Sequence, residues 1–159
     1  MYCTYVCVCV CIQWGEESPQ IGTFTHRMLG FRAQPVDHYM RTFYQVAERR
    51  YSQQRPYCAG SVPRHQLMID AMKQFLDAYP SKLKFSFLFH SEYSHEHSNL
   101  LQWADDDLRD HLDYLLTSGH LERSVLILMS DHGARFQVTL HFLLVVLDMH
   151  SLITNICCQ

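Results

Sequence analysis

A chain of 159 residues is long enough for one ordinary domain with a buried core. Its formal net charge of -3, with no basic stripe, excludes nucleic acid as a natural partner. The seven cysteines crowd the two ends and leave Cys58 alone in the body, which fits neither a disulfide framework nor the paired C-x-x-C of a zinc site.

The opening MYCTYVCVCVCI has no positive n-region and no small-residue cleavage site, so it does not read as a signal peptide. Residues 1–13 form a Cys-rich segment foreign in composition to the body of the chain, or else an edge strand. Residues 13–35 hold Pro19, Gly22, Gly30 and Pro35 and read as an irregular connection. In PVDHYMRTFYQVAERRY, residues Val36, Tyr39, Met40, Phe43, Val46 and Ala47 recur at helical spacing, and Asp37 suits a helix N-terminus. RPYCAGSVPRH is a loop, and Pro63 then opens a second helix that Pro80 ends.

KFSFLFH, residues 84–90, is short, aromatic and apolar, as a buried strand should be. A helix follows over about residues 99–118, with Leu101, Ala104, Leu108, Leu112 and Leu115 as its apolar stripe and Gly119 as its C-cap. Its run Asp105-Asp106-Asp107 points three ways and is a solvated face. The apolar segment at about 124–129 is a second strand. Strand, helix, strand predicts an α/β unit whose two parallel strands are joined by a right-handed crossover. Both strands then end on one sheet edge, where open α/β sheets bind ligands. The loops HSEYSHEHSN and SDHGARF would emerge there together.

These loops bring His90, Glu92, His95, Glu96 and His97 toward Asp131 and His132. Carboxylate with imidazole suits zinc, manganese or iron better than calcium. Arg135 is placed to grip an oxyanion. The plainer alternative is that Asp131 and His132 only end a strand, and that His90 is a packed core residue. Residues 137–159 form an apolar segment of foreign composition, or a C-terminal helix, and hold too short an apolar run for a membrane span.

The blocks WGEESPQIGTF, GFRAQPVDHYMR, FLFHSEYSHEHSN, DDDLRDHLDYLLTSGHL and VLILMSDHGARF, in that order over residues 14–136, carry a resemblance. The chain resembles the sulfatase-like fold of the alkaline phosphatase superfamily and, more closely, the animal family catalogued as domain of unknown function 229. The resemblance implies a partial α/β sandwich and a divalent metal, zinc or other, acting on a phosphate- or sulfate-bearing substrate. It gives Asp131 and His132 the metal-binding role, puts His95 near the substrate, and sets Glu96 where relatives carry Asp. It also implies a secretory or extracellular setting. The superfamily's nucleophile and first metal Asp lie upstream of anything recognisable here, and a further metal-binding histidine is expected downstream. The expectation is therefore a fragment of a metal-dependent hydrolase domain, inactive alone with an incomplete site. The alternative is a non-catalytic binding or structural protein that retains the fold.

Overall fold

The computed structural model describes residues 9–51, 57–95 and 98–132, with the backbone of two further strands, Phe142–Asp148 and Thr154–Cys158. The chain divides into two compact units, Met1–Glu92 and Tyr93–Gln159.

The first unit runs β1 (Val10–Glu16), β2 (His38–Tyr39), α1 (Arg41–Tyr51), β3 (Cys58–Ala59), β4 (Val62–Pro63), α2 (Arg64–Ala78) and β5 (Leu83–Phe89). β1 is the middle of a parallel sheet of order β2-β1-β5 and matches β5 residue for residue, from Val10 with Leu83 to Glu16 with Phe89. Register is locked by a buried amide. Gln13 Nε2 donates to the Ala71 carbonyl at 3.0 Å, and its Oε1 accepts from Ser86 Oγ at 2.7 Å. A slip of one residue would leave that amide unsatisfied inside the unit. Gly15 lets the neighbouring side chains pack closely: a Cβ there would lie 2.8 Å from both Leu88 Cδ2 and Met40 Sδ, so those side chains would have to shift. Tyr44, Ala47, Met68 and Phe75 form the apolar core between α1, α2 and the sheet.

Two expectations change here. The segment expected as an irregular connection begins inside β1, so Gln13 to Glu16 are strand residues. The first helix starts at Arg41, because His38 and Tyr39 pair with Gln13 and Trp14 and the Met40 N–H donates to the Trp14 carbonyl at 2.9 Å. Asp37 caps no helix; its Oδ2 accepts from the Ile12 N–H at 2.9 Å. The face of α1 turns accordingly, burying Tyr44 and Ala47 while Phe43 and Val46 stay exposed. The second helix keeps its expected limits within a residue.

After β5 the chain makes a short helix, α3 (Glu92–His95), and a 3-10 turn, Ser98–Leu101. The second unit continues as α4 (Gln102–Thr117), β6 (Val125–Met129), β7 (Phe142–Asp148) and β8 (Thr154–Cys158). α4 buries His111 and Leu115, and Gly119 follows it at φ 80°, the left-handed turn a Cβ disfavours. Arg109 reaches Asp106 at 2.6 Å and Asp110 at 2.8 Å in solvent, as the solvated acidic face predicts.

The strands β5 and β6 and the helix between them lie where expected, but the parallel crossover does not form. β6 pairs antiparallel with β7 in a separate sheet of order β6-β7-β8. The physical reason is proximity in sequence: pairing β6 with β7 closes a far shorter loop than a crossover spanning α4. Val145 and Val146 give β7 the β-branched character of a strand. Expected as a buried strand, β6 instead leaves Val125, Ile127 and Met129 exposed.

Candidate functional site

Because β1 and β5 run parallel and in register, Glu16-Glu17 and His90-Ser91-Glu92 leave the sheet on one edge. Glu17 is only 1% exposed, and its Oε1 accepts three hydrogen bonds. They come from the Ser91 N–H at 2.7 Å, Ser91 Oγ at 2.9 Å and the Glu92 N–H at 2.9 Å. One buried carboxylate thus ties the end of β1 to the first residue of α3 and satisfies N–H groups that a helix start leaves open. Glu16 plays a similar part toward the next loop, accepting from the Thr23 N–H at 2.9 Å and from Thr23 Oγ1.

Arg64, the first residue of α2, is buried among these acids. Its Nη1 stands 3.9 Å from Glu48 Oε1 and 3.8 Å from Glu92 Oε1. Those distances are long for direct hydrogen bonds, and Arg64 Nε, Glu92 Oε2 and the Tyr44 hydroxyl are buried without a hydrogen-bond partner among the described residues. A polar group so enclosed calls for a bridging water or a ligand atom. His65 and His90 face each other edge-on with ring centroids 6.4 Å apart.

Burial shapes the titration of this group. Desolvation pushes the Glu92 carboxyl from 4.5 up to about 7, against the pull of Arg64 and with help from Glu17 and Glu48. Desolvation also lowers His90, Glu17 opposing and His65 assisting, so its imidazole stays neutral over a wider pH range. Tyr44 is raised, chiefly by burial and next by Glu17. A carboxyl that titrates near neutrality can give or take a proton under ordinary conditions.

Of the residues singled out from sequence, His90 and Glu92 belong to this group, and Asp131 and His132 belong to the second unit. Asp131 and His132 follow β6 after Ser130, and their side chains are 59% and 46% exposed. The His132 N–H donates to Asp131 Oδ1 at 3.0 Å, Ser130 Oγ donates to the His132 carbonyl, and His132 Nε2 lies 3.6 Å from Asp131 Oδ2. His95 ends α3 on the surface. Glu96, His97 and Arg135 lie outside the described residues. Among the described residues no group of three or more metal-ligating side chains converges, and no helix is long and apolar enough to cross a membrane. Sequence reasoning passed over Glu17, Arg64 and Tyr44. Two adjacent acids closing an apolar segment were the available sign for Glu17; Arg64 and Tyr44 gave none.

Residues 13–148 match the family described as protein of unknown function (DUF229), and the chain belongs to that family. No curated protein and no solved structure matches it.

Proposed function

We propose that this member of the family carries part of the metal site of a hydrolase for phosphate or sulfate esters. Asp131 and His132 would ligate a divalent ion, zinc or another, with His95 and Glu96 beside the substrate. The observation that supports this reading is the facing carboxylate and imidazole at the end of β6, with Oδ2 and Nε2 3.6 Å apart. Two ligands on one tetrahedral zinc, each about 2.0–2.1 Å from it, stand roughly 3.3 Å from each other. The donor set fits in spacing and in chemistry.

When bound, such an ion lowers the pKa of a coordinated water and offsets charge on the ester oxygens. The bonds from His132 N–H to Asp131 and from Ser130 to the His132 carbonyl hold the pair in its facing arrangement. Two side chains fill half of a tetrahedral shell, so by themselves they hold the ion weakly and support little turnover. The exposure of both side chains favours a second reading, a protein that keeps the fold and binds without hydrolysing, since a catalytic ion works best away from bulk water.

The test is zinc or manganese uptake with hydrolysis of 4-nitrophenyl phosphate and 4-nitrophenyl sulfate, on the chain and on Asp131→Ala. Weak uptake that Asp131→Ala abolishes, without turnover, is the expected result. Uptake that survives the substitution would remove the pair from the site. Tight stoichiometric metal with Asp131-dependent turnover would instead show that the chain forms a complete site.

A further inference from the structure

We propose that the loop between β1 and β2, residues 20–34, docks the protein onto an anionic lipid surface without crossing it. Exposed apolar side chains cluster there: Ile21, Phe24, Met28, Leu29 and Phe31, with Leu29 fully exposed. Arg27 and Arg32 lie among them, both exposed, and no carboxylate occurs between Glu17 and Asp37. The chain as a whole carries a net charge of -3, so this cationic, apolar loop differs in sign from the rest of the molecule.

The loop is built rather than loose. Glu16 holds Thr23, Thr25 Oγ1 donates to the Pro19 carbonyl at 3.0 Å, and Arg41 Nε donates to the same carbonyl at 3.3 Å. Phe31, Phe24, Trp14 and Phe87 form a ring ladder with centroid steps of 5.0, 5.4 and 5.0 Å, which carries the loop back to the sheet. Arg27 at φ 56° and Gly30 at φ 72° turn the backbone on either side of Met28 and Leu29. Ordering in advance lowers the entropy lost on docking.

Apolar side chains rimmed by cations match an interface where hydrocarbon begins below anionic headgroups. A protein partner would need a complementary seat of roughly 800 Å² on each side. Single protruding side chains, one of them Leu29, satisfy a fluid lipid surface without such a seat.

The experiment is sedimentation of the full chain with phosphatidylcholine vesicles, with and without phosphatidylserine, at low and high salt. The wild-type chain should bind the anionic vesicles, bind neutral ones less, and lose the difference at high salt. Met28→Ser with Leu29→Ser should lower the partition coefficient at least about tenfold. Arg27→Gln with Arg32→Gln should remove the preference for anionic lipid. These positions are exposed, so an unchanged thermal midpoint should accompany each loss. Failure of the folded wild-type chain to bind anionic vesicles would overturn the proposal, as would binding that neither pair of substitutions alters.

Discussion

Replacing Glu92 by Gln should make the protein more stable at alkaline pH than the wild type, while leaving it unchanged in acid. Glu92 Oε1 lies 3.8 Å from Arg64 with the carboxylate 17% exposed, and burial raises its pKa from 4.5 to about 7. The folded chain therefore keeps this proton over a range where the unfolded chain has released it. Stability from Glu92 is fully present below pH 4.5 and is lost as pH rises toward 7. At about 1.4 kcal/mol per pH unit, the loss amounts to about 2–3 kcal/mol once partial solvent access is allowed for. Gln keeps the size and neutral polarity of the protonated acid and does not titrate. Urea unfolding of both proteins at pH 4.5 and pH 8 gives the double difference, in which other titrating groups cancel. Equal stabilities near pH 4.5 and an advantage of about 2 kcal/mol for Glu92→Gln at pH 8 are expected. Parallel pH profiles would refute the reasoning.

Two further substitutions probe the frame around this edge. Glu17→Gln leaves the geometry but removes the charge that accepts three hydrogen bonds from Ser91 and Glu92, and should cost about 1–3 kcal/mol in urea unfolding. An effect within a few tenths would show that the tether between β1 and α3 carries little energy. Phe75→Ala, at a side chain 4% exposed between His38 and Tyr79, should cost about 3–5 kcal/mol by opening a cavity in the first unit. A loss below about 1 kcal/mol would mean that the core of α1, α2 and the sheet does not rest on this ring.

What could be read from the residues depended on how local the causes were. α2 was legible because Pro63 and Pro80 mark its ends, and α4 because Gly119 stops it where the apolar stripe stops. β5 showed itself through aromatic and apolar density over a strand's length. α1 began late because His38 and Tyr39 are claimed by β1, a pairing across more than twenty residues that helical spacing does not reveal. β6 is legible as a strand but its neighbour is not, since pairing depends on the segment at 142–148 and on loop closure. The contrast repeats at the candidate sites. Asp131 and His132 stand out because they are adjacent at the end of an apolar run, and the structure keeps them side by side. Glu17, Arg64 and Glu92 come from three separate segments, and only the parallel register of β1 with β5 and the start of α2 gathers them. No spacing rule connects positions 17, 64 and 92.

The proposal that Asp131 and His132 bind a divalent ion is tested most directly by calorimetric titration of zinc into the chain and into the double variant Asp131→Ala, His132→Ala. Both side chains are exposed, so the variant should fold as the wild type does. Weak zinc binding by the wild type that vanishes in the variant is the expected result. Equal binding by the two proteins would contradict the assignment of a metal to this pair.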